Sequence, residues 1–207
     1  MPLTGGEAYQ AAFIIGGKIM TNAIQRSGTP WRIIGWGGAV ALLAAPFIAM
    51  RFTTEVNWTA SDFIFAGVLL GVIGGGFELA VWASSNRAYR AAAALALLGT
   101  FLVIWTNLAV GIVGSENNPT NLLFFGALLV GIAGSVVGRF RAPGMTLAMV
   151  ATAVSLGMAF GIAVMGPTDE PFVPHSRELI GTGVFAALFL GSAALFRKAA
   201  DQSSSSS

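Results

Sequence analysis

Glu78 is the one ionisable side chain set well inside a long apolar run, six residues or roughly 9 Å from its basic end at 1.5 Å per residue. A charged carboxylate at that depth is costly. It is therefore expected to be protonated, to pair with a boundary arginine such as Arg139 or Arg87, or to face a water-filled cavity. Its chemistry would be the handling of a proton or a cation; the competing reading is a structural ion pair near the interface. A second polar group joins Trp105-Thr106-Asn107 to Gly114-Ser115-Glu116-Asn117-Asn118-Pro119. Its amides and carboxylate could bind a polar ligand or a lipid head group. The same residues suit a turn, with Asn107 satisfying interhelical backbone groups and Asn121 capping the next helix. The candidate functional residues are Glu78, Asn107, Ser115, Glu116 and Asn117.

Other chemistries lack their parts. His175 is the sole histidine, lying between Pro174 and Ser176 near Asp169 and Glu170, and there is no cysteine. One imidazole cannot form a His-pair metal site or hold a haem on both faces, and no serine sits in a nucleophile-elbow pattern. Gly74-Gly75-Gly76 lacks the Gly-Lys-Ser/Thr ending of a phosphate loop, and Asn57-Trp58-Thr59 is too close to an apolar span to be read as a glycosylation site. A membrane enzyme acting on lipid or isoprenoid would need paired carboxylates or a histidine cluster. No catalytic, cofactor or metal site is expected.

The elements that must position these residues are membrane helices. The chain has 207 residues, 55% of them apolar, 10% charged and 27 of them glycine. Its mean hydropathy is +0.76. A soluble domain carries about 25% charged residues. Six runs long enough to span a bilayer at roughly 20 residues each cover Ile33–Met50, Phe63–Ala83, Ala91–Val113, Leu122–Gly138, Met145–Met165 and Leu179–Phe196. The expected fold is all-α: residues 1–30 form a cytoplasmic or interfacial segment, 31–198 a six-helix transmembrane domain and 199–207 a disordered serine-rich tail. Within the first segment, Ala8, Ala12, Ile15, Ile19 and Ala23 recur at spacings of three and four, the pattern of an interfacial amphipathic helix, although Gly16-Gly17 weakens it and leaves a disordered or broken segment as the rival reading. No cleavable signal is expected.

Loops alternate in charge. Lys18, Arg26, Arg32, Arg87, Arg90, Arg139, Arg141, Arg197 and Lys198 fall on one side, which leaves Arg51 and Arg177 as the exceptions among 11 bases. Glu55, Asp62, Glu116, Asp169, Glu170 and Glu178 fall on the other. The positive-inside rule places the basic side, and both termini, in the cytoplasm. Trp58 and Trp105 near one boundary, with Trp31, Trp36 and Trp82 near the other, fit interfacial belts.

Aligning Asp62, Asn121 and Glu178 brings Gly67, Gly126 and Gly183 into register, and then Gly75, Gly134 and Gly191. This predicts three helical hairpins of the same orientation. Small residues recur every fourth position as Gly67, Gly71 and Gly75, as Ala127, Gly131 and Ser135 beside Gly134 and Gly138, as Ala153, Gly157 and Gly161, and as Gly183, Ala187 and Gly191. Close packing within the chain is the expected use, with a homodimer face as the alternative. Pro46 is expected to kink the first span.

The segments Glu55–Phe63, Trp105–Pro119 and Phe185–Ala200 resemble a family of small, uncharacterised bacterial multi-spanning membrane proteins, the likeness running from about Ile33 to Ala200. The resemblance implies a bacterial inner-membrane location and brings no activity with it. The expected function is that of a non-enzymatic packing, assembly or partner-binding membrane protein. The alternative is a small-solute or proton-coupled ion transporter using Glu78. The expected partners are the lipid bilayer and a membrane protein or second copy, and the basic residues at membrane boundaries give no reason to invoke nucleic acid.

Overall fold

The computed structural model describes residues 30–165 and 175–205. The amphipathic segment expected over 7–27, and Asp169 and Glu170, lie outside them. Among the described residues the structure is helical without strands: α1 (Pro30–Ala49), α2 (Ala60–Ala83), α3 (Arg87–Ala109), a 3₁₀ turn (Pro119–Asn121), α4 (Leu122–Val137), α5 (Ala142–Met165) and α6 (His175–Ser204). Six helices are long and apolar enough to cross a membrane. Large side chains such as Leu129, Ile132, Leu147, Ile162 and Ile180 stand exposed along them, a continuous apolar surface that suits lipid and not water. This is a multi-pass membrane protein.

The chain divides into one unit ending at Gly67 and another starting at Val68. In the first, no described residue of α1 is buried. Past Pro46 the helix closes with Met50 N donating to Pro46 O at 2.9 Å, and the Arg51 guanidinium lies 5.5 Å over the Phe47 ring. That contact gives one of the two exceptional arginines a local role. α2 starts where Asp62 Oδ2 accepts from Thr59 N at 2.7 Å and Thr59 Oγ1 at 2.8 Å, and Phe63 packs edge-on against both Trp58 and Phe47.

In the second unit α6 packs against α3 on one side and α5 on the other, and α4 packs against α5. Four contacts set the α3–α6 register. Tyr89 meets Phe196 ring to ring, Ser192 Oγ donates to Ala92 O at 2.8 Å, Leu95 faces Gly191, and Gly99 lies under Phe189. As the α3 number rises the α6 number falls, so the two helices are antiparallel. α3 is started by Asn86, whose Oδ1 accepts from Ala88 N at 2.8 Å and Tyr89 N at 3.2 Å. The α2 end is held by Arg90, donating to Ser84 O at 2.7 Å and Val81 O at 3.0 Å, a cation where the helix presents free carbonyls.

α4 and α5 approach most closely. A Cβ on Gly131 would overlap Thr152 Oγ1; one on Gly134 would sit 2.9 Å from Ala148 Cβ, and one on Gly138 2.8 Å from Gly144 Cα. The connection is so short that the helices must be antiparallel neighbours. It turns through Arg139 and Phe140 at φ 50° and 55°, a left-handed conformation costly for residues with a Cβ. Tyr89 Oη donates to Phe140 O at 2.7 Å and ties this turn to α3.

Three expectations need amending. Much of the glycine in the stripes of α2, α5 and α6 meets no other helix among the described residues: a Cβ on Gly71, Gly75, Gly157, Gly161 or Gly183 would meet nothing within 4 Å, whereas Gly191 packs against Leu95 and a Cβ on Gly67 would lie 4.0 Å from Leu43. On α5 the buried stripe runs through Ala148, Thr152, Leu156, Ala159 and Ala163, leaving Gly157 and Gly161 on the far side. The third helix ends at Ala109, four residues short of Val113, because the chain turns through Gly111. The tail expected to be disordered continues α6 to Ser204. Ser203, Ser204 and Ser205 hydroxyls donate to carbonyls three residues back, and Asn86 Nδ2 donates to Gln202 Oε1 at 3.1 Å, so local bonds replace the missing apolar contacts. Of the expected helix pairs, α5 and α6 pack together. α3 and α4 touch sparingly, each making its main contact elsewhere, because the connection over 110–121 is long enough not to force them side by side.

Candidate functional site

The densest group of buried polar side chains lies where α3 ends and α4 and α6 begin, and it comprises Asn107, Asn121, Glu178 and Thr182, each at most 6% exposed. It is organised around the connection 110–118. Gly111 and Gly114 have φ of 76° and 63°, a region glycine enters freely. At Gly111 a Cβ would also run into Ser115 O. These two turns carry Ile112 and Val113 inward until both are buried in the apolar core. Their peptide groups follow, and a buried peptide needs partners.

Asn121 supplies them. Its Oδ1 accepts from Ile112 N at 3.1 Å and Val113 N at 3.0 Å, and its Nδ2 donates to Val113 O at 3.2 Å and Ser115 O at 2.7 Å. That uses both lone pairs and both protons of the amide. The expected capping role passes to Asn118, whose Oδ1 accepts from Thr120 N at 2.9 Å, while Asn121 makes no side-chain cap bond to α4. Asn107 Nδ2 donates to Asn121 O at 2.8 Å. Glu178 closes the group from α6, one carboxylate oxygen accepting from Gly114 N at 2.9 Å and the other 3.0 Å from His175 Nδ1.

Of the expected residues, Asn107 sits in this cluster and Ser115 reaches it through its carbonyl, which accepts from Asn121 Nδ2 and from Asn118 N at 3.1 Å. Glu116 and Asn117 are exposed beside it. Glu78 is half-buried elsewhere. It lies within a turn of Val81, whose carbonyl binds Arg90, and Asn107 is a further seventeen residues along α3, roughly 25 Å at 1.5 Å per residue. The structure does not bring Glu78 and Asn107 together.

Glu178 and Thr182 escaped the reading of single residues, the first as one more loop acid and the second as helix filler. The repeat held the signal. Its three aligned positions are all acceptors at helix starts: Asp62 takes Thr59 N, Asn121 takes Ile112 N and Val113 N, and Glu178 takes Gly114 N. Chemically the cluster offers a buried carboxylate against an imidazole, two amides and a hydroxyl. No group of three or more His, Cys, Asp or Glu able to hold a metal is found among the described residues. No protein family, no curated protein and no solved structure matches the chain.

Proposed function

We propose that the protein is a non-enzymatic component of the membrane that packs against another transmembrane helix through its open glycine faces. The observation that carries this reading is that, among the described residues, nothing comes within 4 Å of a Cβ placed on Gly71 or Gly75 of α2, or on Gly157, Gly161 or Gly183. Backbone surface of this kind gains little from lipid tails but allows a second helix to approach closely. The resemblance of Glu55–Phe63 and Trp105–Pro119 to small bacterial multi-spanning proteins, and the distribution of arginine among the loops, support an inner-membrane location. On this reading both ends lie in the cytoplasm and three out-and-back helix pairs share one orientation.

The test is photo-crosslinking in intact membranes from two equally exposed positions, Val72 on the α2 face and Leu129 on α4. Protein adducts are expected from Val72 and lipid adducts from Leu129. Lipid adducts alone from both positions would refute the proposal. Transport through Glu78 is the rival mechanism. Proteoliposomes are expected to pass protons no faster than empty vesicles, and a flux abolished by Glu78→Gln would reverse the assignment.

A further inference from the structure

Two buried oxygens have no hydrogen-bond partner among the described residues, Asn107 Oδ1 and Thr182 Oγ1, and both residues are only 3% exposed. In a core an unsatisfied polar group is costly, so the pair calls for an explanation. The α3–α6 register brings them to neighbouring levels of the same helix pair. From the contact of Gly99 with Phe189, Asn107 is eight residues along α3 and Thr182 seven residues back along α6, roughly 12 Å and 10 Å at 1.5 Å per residue. Both belong to the buried stripes of their helices, Gly99, Val103 and Asn107 on α3 and Glu178, Thr182, Phe185 and Phe189 on α6, and the two stripes meet where Gly99 lies under Phe189. The Gly114–Glu178 hydrogen bond ties the connection after α3 to the first turn of α6, one turn from Thr182.

We propose that Asn107 Oδ1, Thr182 Oγ1 and the Glu178 carboxylate form a binding site for a monovalent hard cation of the sodium class. All the donors are oxygens, which select hard ions over soft ones. Calcium calls on about six to eight oxygens, and magnesium gives up its waters reluctantly, which a site buried to this degree would require. One carboxylate with neutral amide and hydroxyl oxygens balances a single positive charge, and the ion relieves both orphaned oxygens at once. Thr182 is one turn from Glu178 on the same face, so the ligands span one helical turn of α6 and the facing residue of α3. The site is separate from the open glycine faces and does not depend on what packs there.

The experiment is thermal unfolding of the purified full-length protein in detergent, in sodium chloride against choline chloride at equal ionic strength, paired with radiolabelled sodium binding. Wild type is expected to gain melting temperature with sodium and to bind one ion per chain. Thr182→Val, which removes the hydroxyl at nearly constant shape, is expected to fold in choline at least as stably as wild type and to lose both the sodium response and the bound label. Thr182→Ser is expected to keep both. A wild type indifferent to sodium, as a site holding only water would be, overturns the proposal; so does a sodium response that survives intact in Thr182→Val.

Discussion

Removing the Asn121 side chain should unfasten the connection between α3 and α4 at a cost that can be worked from its bonds. In Asn121→Ala, the N–H groups of Ile112 and Val113 and the carbonyl of Val113 lose their side-chain partner in a buried setting. Ser115 O keeps Asn118 N and is half-buried, so it adds little. Three orphaned groups at the low end of 1–3 kcal/mol each, eased by partial relaxation of the loop, give about 3 kcal/mol. Asn121→Asp separates hydrogen bonding from shape. The isosteric carboxylate still accepts from Ile112 N and Val113 N, but it sets a second oxygen against Val113 O and Ser115 O, where the amide nitrogen lies 3.2 and 2.7 Å from them. It should cost at least as much as alanine at neutral pH. A protonated carboxyl can donate where the amide did, so the variant should be more stable in acid and lose that stability as pH rises. Unfolding in mixed micelles, followed by tryptophan fluorescence at several pH values, measures each quantity. A loss below about 0.5 kcal/mol for alanine, or an aspartate variant clearly more stable than alanine at neutral pH, would refute the assignment of Asn121 as the fastener.

The glycines divide into two classes with opposite outcomes. Gly134→Ala should destabilise by about 1–3 kcal/mol through its approach to Ala148, whereas Gly157→Ala should be neutral or stabilising by up to about 1 kcal/mol; the same unfolding assay separates them. Phe140→Gly relieves a left-handed backbone at an exposed residue and leaves the carbonyl that takes Tyr89 Oη, so it should raise stability by up to about 1 kcal/mol. Ser192→Ala removes one interhelical hydrogen bond to Ala92 O and should cost only about 0.6 kcal/mol, the average for such bonds within membranes.

The spans were legible because a bilayer imposes a length, and runs such as Leu122–Gly138 and Met145–Met165 can satisfy it only as helices. Their faces were not. A small residue every fourth position is the same signal on α4, where Gly131 and Gly134 meet Thr152 and Ala148, and on α2, where Gly71 and Gly75 meet nothing. What differs is the neighbour, and that is decided by connection length and by bulky residues on other helices. The tail was misread for the reverse reason. Serine composition argues against a packed helix, but the long α6 already supplies the nucleus, and adding a residue to an existing helix is far cheaper than starting one.

The polar cluster shows why residues that look chemical in a sequence need not act on a substrate. Driving Ile112 and Val113 into the core buries apolar side chains, but it also takes their amides out of water, and those amides must be answered by polar side chains brought from elsewhere in the chain. Asn121 answers them with its whole amide, Glu178 takes the next one, Gly114 N, with one lone pair of a carboxylate that has others to spare, and Gly111 and Gly114 make the required turns. Most of the polarity around Trp105–Pro119 is thereby consumed by the backbone. Asn107 and Thr182 stand apart, because each keeps an oxygen that no peptide group among the described residues uses. A residue with its hydrogen-bonding capacity spent on the fold has little left for a ligand, and one with capacity unspent in a dry interior is where a ligand is to be sought.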